Sequence, residues 1–196
     1  MMDRDLTALV ASRICHDLIS PLGAIGNGLE LIQLSCGTSP ELDLINASVT
    51  HARARIRLFR LAFGAGNGQL IDNRDVQGML QDLGHGTRLT YRWSVSEAAP
   101  RAEIKAALLA MLCVETALPR GGTVGAQLFG GHWRISGEGP ALRVDPAAFG
   151  VLSDETDGST ITPAGIQFLL LPAATKAIGR TLSVVRGGDT DLGISF

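Results

Sequence analysis

The sequence predicts an α+β protein, in which a helical hairpin is followed by a two-layer α/β sandwich. Two long helical patterns fill residues 3–63, and strand and helix patterns alternate after a glycine-rich hinge at residues 64–68. Mixed strands and helices in such an order are typical of helices packed on one face of a mixed sheet. We therefore predict two domains, a hairpin at residues 1–66 and an α/β domain at residues 70–196.

The composition is that of a folded, rather apolar chain. Of its 196 residues, 45% are hydrophobic and 18% are charged. The net charge of −2 argues against a nucleic-acid partner, and no apolar run approaches the roughly 20 residues that span a membrane. The N-terminus has no signal-peptide pattern, and the three cysteines have no metal-ligand spacing. We expect a cytoplasmic protein that binds no nucleic acid, no membrane and no metal.

The first helix is predicted from a cap at Asp3 or Asp5 to about Gln33. Its apolar residues form one continuous stripe at about 100° per residue: Leu6, Val10, Ile14, Leu18, Leu22, Ile25, Leu29 and Ile32. Two helices of this length form no stable core alone, whereas two hairpins make a four-helix bundle. The stripe therefore predicts a homodimer through residues 3–63.

The second helix has a clear start signal. Ser39 is a good N-cap, Pro40 suits the first helical position, and Glu41 follows in the first turn. A heptad seam of apolar or small residues then runs to Phe63. Its outer positions carry four arginines, which form either a solvated face or a docking surface for an acidic partner: Arg53, Arg55, Arg57 and Arg60.

A single histidine, His16, is the candidate functional residue of the first helix. It lies about 200° around the helix from Ile14, on a solvated face with mostly small neighbours. Gly23, Gly26 and Gly28 each cost about 1 kcal/mol of helix propensity, which close packing against another surface would offset. The alternative is an ordinary helix surface that tolerates small residues. An exposed imidazole beside the carboxylate of Asp17 suits a phosphoryl carrier.

The remaining elements are assigned from periodicity and turn residues. Helices are predicted at residues 76–83, behind a cap at Asp75, and at 100–117, 146–152 and 163–178. Strands are predicted at 88–95, 123–129, 132–136 and 141–144, and a terminal hairpin joins 180–185 to 191–196 across residues 187–189.

The run that begins at His16 resembles the phosphoacceptor motif of sensor histidine kinases, His-acid-Leu-x-Ser/Thr-Pro-Leu. His16, Asp17 and Leu18 match its first part, and Ser20, Pro21 and Leu22 match the rest. Those kinases join a dimerising hairpin to an ATP-binding α/β domain. Here the positions of the asparagines that bind magnesium and phosphate in that family fall at Leu109 and Cys113, and the glycine-rich nucleotide boxes are missing. We therefore expect a degenerate ATP-binding-like domain that binds no ATP.

This combination resembles the ChpT-type histidine phosphotransferases of alphaproteobacterial phosphorelays. The likeness extends through CHDLISPLGAI, GNGLEL and LPRGG, at residues 15–25, 26–31 and 118–122. It implies that the protein accepts a phosphoryl group from the receiver domain of a hybrid histidine kinase and passes it to the receiver of a response regulator. It also implies that magnesium comes with the partner receiver, so we expect no cofactor in this chain.

The residues and the resemblance together assign roles to seven positions. His16 is predicted as the catalytic nucleophile, with Asp17 orienting its ring. The predicted receiver-binding residues are Arg13, Ile19, Ser20, Gly23 and Asn27. Two alternatives remain open: an autophosphorylating kinase with an atypical ATP site, and a non-catalytic dimer that only binds a receiver.

Overall fold

Two long antiparallel helices begin the fold in the computed structural model, which describes residues 6–65, 68–187 and 190–196. Helix α1 spans Leu6–Cys36 and α2 spans Pro40–Ala62. The Ser39 hydroxyl accepts a hydrogen bond from the Leu42 amide at 3.3 Å, so the predicted cap is confirmed. An α/β part follows, and the predicted α+β fold class is confirmed.

The α/β part contains four helices and seven strands among the described residues. The helices are α3 (Asn73–Gly84), α4 (Arg101–Thr116), α5 (Pro146–Leu152) and α6 (Ile166–Ala177), the last preceded by a 3-10 turn at Pro163–Gly165. The strands are β1 (Leu70–Ile71), β2 (Leu89–Ser94), β3 (Ala99–Pro100), β4 (Gly122–Phe129), β5 (His132–Glu138), β6 (Ser183–Arg186) and β7 (Asp191–Ser195).

The main sheet is mixed and is covered by helices on one face. Its strand order is β2-β4-β5-β7-β6, with β2 parallel to β4 and the other neighbours antiparallel. Along β5, buried side chains such as Trp133 and Ile135 alternate with exposed ones, which leaves the opposite face open to solvent. Helix α4 packs on the covered face and is buried along most of its length.

Two local predictions need correction, and a third is confirmed. Helix α3 begins at Asn73 because Asp72, not Asp75, caps it and accepts from the Arg74 amide at 2.9 Å. No strand forms at residues 141–144, where the Arg143 amide bonds the Ala117 carbonyl and the chain leads directly into α5. The terminal hairpin pairs β6 with β7 as expected, although residues 188–189 of its turn lie outside the described residues.

Most of the apolar stripe of α1 lies outside the side of the helix that packs within the chain. Ala8, Cys15, Gly26 and Leu29 are the buried residues of α1. Of the stripe, Leu29 is buried and Leu22 is half-buried, while the rest are 45% to 70% exposed in a single chain: Leu6, Val10, Ile14, Leu18, Ile25 and Ile32. The side that faces α2 is centred near Cys15, about 100° around the helix from Ile14.

Helix α1 is also long and apolar enough, by length and composition alone, to cross a membrane. It packs along α2 and carries charged side chains at Arg13, Asp17 and Glu30. A helix with one apolar stripe and one polar face is typical of a bundle.

Helix α2 is shared between the two parts of the molecule. Ala54, Leu58 and Ala62, spaced four residues apart, are buried in the same core as α3, α4 and the sheet. The opposite side of α2 packs on α1 through residues such as Val49. The hairpin is therefore anchored on the α/β part, and the predicted boundary at residues 66–70 stays a prediction.

Candidate functional site

His16 stands on the outer surface of α1, about 100° around the helix from the side that faces α2. Its side chain is 82% exposed, whereas the preceding Cys15 is buried. Burial raises the pKa of the Cys15 thiol, and the positive charge of Arg60 on α2 opposes that rise. An imidazole this open can meet a reacting group carried by another protein.

The carboxylate of Asp17 joins His16 to Arg13. His16 Nδ1 lies 3.2 Å from Asp17 Oδ1, and Arg13 Nε donates to Asp17 Oδ2 at 2.8 Å. Because a carboxylate only accepts hydrogen bonds, Nδ1 must carry the proton in this contact. The neutral ring then keeps its lone pair on Nε2, which is the atom free to attack.

The other predicted receiver-binding residues share the face of His16. Ser20 and Asn27 are exposed, and Ile19 and Gly23 are half-buried. Arg13, the fifth predicted residue, is exposed but bonded to Asp17. The structure thus brings all seven predicted site residues onto one side of α1.

The helix glycines have two different surroundings. A Cβ at Gly26 would lie 3.0 Å from Arg53 Nη1, so this glycine lets the arginine of α2 lie against α1. A Cβ at Gly23 or Gly28 would meet no atom within 4 Å. Close packing within the chain therefore accounts for Gly26 only, and the space above Gly23 stays open beside His16.

The four arginines of α2 divide into an exposed set and an inward one. Arg53, Arg57 and Arg60 are exposed and recur at helical spacing on one side of α2. The contact of Arg53 with Gly26 and the effect of Arg60 on Cys15 place this side next to α1. Arg55 instead points into the molecule, where its guanidinium donates to both carboxylate oxygens of Glu115 at 3.1 and 2.8 Å.

The two positions that the kinase resemblance assigns to magnesium-binding asparagines hold other residues here. Leu109 and Cys113 are fully buried in α4, and burial raises the pKa of the Cys113 thiol. Neither side chain fits magnesium, which takes oxygen ligands. Across residues 6–65, 68–187 and 190–196, no group of three or more His, Cys, Asp or Glu side chains could hold a metal ion.

Sequence reasoning missed two interactions. The bond between Arg13 and Asp17 has a local signal, because residues four apart on a helix are neighbours. The pairing of Arg55 with Glu115 joins residues 60 apart in sequence, and no local pattern indicates it. Tyr91 completes that cluster by donating from its hydroxyl to Glu115 Oε2 at 2.9 Å.

Known proteins match this chain over both parts. A family model described as histidine phosphotransferase C-terminal domain matches residues 73–190. The protein phosphotransferase ChpT of Brucella abortus (strain 2308) is 37% identical over 149 residues, which cover 72% of this chain and 71% of that protein. A solved structure of a bacterial phosphotransferase is 29% identical with a TM-score of 0.71, and the match covers 100% of this chain and 97% of the other.

Proposed function

Since this chain belongs to the histidine phosphotransferase family, we propose that His16 is the residue that carries the phosphoryl group in its phosphorelay. The family match at residues 73–190 does not include α1, so the assignment depends on the site itself. The observation that carries it is the exposed ring of His16, whose Nδ1 contacts Asp17 while Nε2 is free.

The contact with Asp17 suits a transfer that needs no proton to leave the ring. Nε2 attacks the phosphorus of a receiver phospho-aspartate, the bond from phosphorus to the aspartate oxygen breaks, and a bond from phosphorus to Nε2 forms. The proton on Nδ1 stays, so the ring becomes positively charged and the carboxylate of Asp17 stabilises it. The same steps in reverse load the receiver of a response regulator.

The receiver domain of a hybrid kinase, and then that of a response regulator, would dock on the His16 face of α1. The surface around His16 is formed by mostly small side chains, at Ile19, Ser20, Gly23 and Asn27. The exposed arginines of α2 add positive charge beside it. Small side chains let another protein approach closely, and the arginines suit the acidic surroundings of a receiver aspartate. The α/β part would contribute further contacts to the receiver.

The homodimer is supported by the open apolar stripe of α1. Its exposed leucine, isoleucine and valine side chains lie about 100° around the helix from the side that faces α2, and roughly opposite His16. A second hairpin packed on this stripe would complete a four-helix bundle and leave both His16 faces accessible.

This mechanism requires no cofactor bound by this chain. Magnesium would come with the partner receiver, and phosphoryl transfer otherwise needs positioning and charge neutralisation. The cytoplasm, where receivers act and where the three free cysteines would stay reduced, is the compartment that fits. Family membership favours transfer over both alternatives, autophosphorylation and receiver binding without catalysis.

The test is phosphotransfer from a phosphorylated receiver to wild type and to His16→Gln. We expect an acid-labile phosphoryl group on wild type, none on the variant, and no label on either from ATP alone. His85→Gln, a change at an exposed turn residue, is the matched control and should behave as wild type. Transfer to His16→Gln would contradict the assignment, and labelling of wild type by ATP alone would favour a kinase.

A further inference from the structure

We propose that Arg13 is a positioning residue for phosphoryl transfer, which acts on His16 through Asp17; this rests on the proposed role of His16. The prediction from sequence placed Arg13 on the receiver-docking surface. In the structure its Nε–H is bonded to one oxygen of the same carboxylate whose other oxygen contacts His16. Arg13 therefore contributes even when no receiver is docked.

The geometry of a helix explains why Asp17 needs such a partner. Side chains of neighbouring residues diverge by about 100° around the helix axis, so Asp17 must turn back to reach His16. Its carboxylate is about half exposed and would otherwise be free to point into solvent. Arg13 lies one helical turn before Asp17 and fixes the carboxylate in the orientation that presents Oδ1 to Nδ1.

The bond also decides which nitrogen of His16 is nucleophilic. A neutral histidine ring in water prefers to carry its proton on Nε2, and a hydrogen bond from Nδ1–H reverses that preference. Without Arg13, Asp17 would hold Nδ1–H less often. A smaller fraction of the rings would then have the lone pair on Nε2.

A small phosphoryl donor separates positioning from docking. Phosphoramidate needs no protein surface: its phosphorus–nitrogen bond breaks, a bond from phosphorus to Nε2 of His16 forms, and ammonia leaves after taking a proton from water. If Arg13 only contacted the receiver, its loss would slow transfer from the receiver and leave the reaction with phosphoramidate unchanged.

The experiment compares wild type with Arg13→Gln, Arg13→Lys and the control Arg74→Gln, which changes an exposed arginine on α3. We expect Arg13→Gln to lower the rate at which phosphoramidate phosphorylates His16 by roughly threefold to tenfold. The ring-nitrogen NMR shifts of its unphosphorylated His16 should move toward the form protonated on Nε2. Arg13→Lys should recover part of the lost rate and part of the wild-type nitrogen shifts, because a lysine four residues before an aspartate can still pair with it.

Wild-type rates and wild-type ring-nitrogen shifts in Arg13→Gln would overturn the positioning role, even if receiver transfer fell. Transfer from a phosphorylated receiver to His16→Gln would instead show that the acceptor lies elsewhere, whereas phosphoramidate can also modify other exposed histidines such as His85. That result contradicts the proposed function and is distinguishable from any outcome with Arg13. The nitrogen shifts test the positioning role independently, should phosphoramidate leave wild type unmodified.

Discussion

Asp17 contributes to the site through its two oxygens, one toward His16 and one toward Arg13. At exposed positions such contacts contribute little to folding. Their effect is on the orientation of one ring, which matters because the reaction requires a lone pair on a particular nitrogen. The chemistry of this protein therefore depends on the orientation of these few side chains.

Asp17→Asn should slow phosphotransfer without unfolding α1. The amide oxygen can still accept from Nδ1–H, but the negative charge that stabilises the phosphorylated ring is lost. We expect a decrease on the order of tenfold in the single-turnover rate from a phosphorylated receiver. Circular dichroism should match wild type, and an unchanged rate would remove Asp17 from the mechanism.

At the scale of elements, the turn between α4 and β4 is set by two glycines. Gly121 and Gly122 both have positive φ, at 86° and 145°, and the Gly122 amide bonds the Arg88 carbonyl at 3.0 Å. This bond begins the parallel pairing of β2 with β4. The glycines of the LPRGG segment, part of the sequence resemblance, thus have a structural reason.

Gly121→Ala should destabilise the fold by about 2–4 kcal/mol. An added Cβ would collide with the Arg88 carbonyl oxygen, and the positive φ is unfavourable for alanine. Urea unfolding at one protein concentration measures the change. Gly78→Ala on α3 is the matched control, since its Cβ would meet no atom within 4 Å and a helical alanine should raise stability by roughly 0.5–1 kcal/mol. A similar small effect at both sites would contradict this account.

At the scale of the whole molecule, α2 connects the His16 helix to the α/β part. Its buried alanines and Leu58 enter the common core, and Arg55 forms the part-buried pair with Glu115. Burial also raises the pKa of Tyr91, the third member of that cluster. Side chains of Arg101 and Lys105 on α4 donate to carbonyl groups at and beyond the end of α2.

Removing one partner of the Arg55–Glu115 pair should cost stability. Arg55→Gln loses a bidentate, charge-assisted contact and leaves Glu115 with Tyr91 alone, so we expect a loss of about 1–3 kcal/mol in the free energy of unfolding. Arg57→Gln, two residues away and exposed, should change it by less than about 0.5 kcal/mol. Equal effects in the two variants would mean that the Arg55–Glu115 pair contributes no more to the free energy of unfolding than an exposed arginine does.

Assembly is the other question at this scale. Ile14→Glu combined with Ile25→Glu places two charges in the exposed apolar stripe, where a second copy would bury them at a large cost. Light scattering should give about twice the 20.6 kDa chain mass for wild type and the single-chain mass for the variant. Leu34→Glu, exposed but off the stripe, should stay dimeric. A single-chain mass for wild type would rule out the proposed dimer.

Local patterns were sufficient to predict several features of this protein. The motif at His16 and its helical periodicity predicted an exposed histidine beside an acid, on the side opposite the apolar stripe. Ser39 and Pro40 predicted the start of α2. Each of these depends on residues within a few turns of one another, where backbone geometry alone sets the spacing.

Only the tertiary structure decided which side of α1 packs within the chain, and how Arg55 is paired. Helical periodicity predicted one apolar stripe, but a second strip around Cys15, made of small or apolar residues, is the one that faces α2. Contacts between distant segments depend on how the elements are arranged, and the sequence near each residue carries no record of its distant partner. For that reason the histidine could be found from the chain alone, while the packing of its helix on α2 could not.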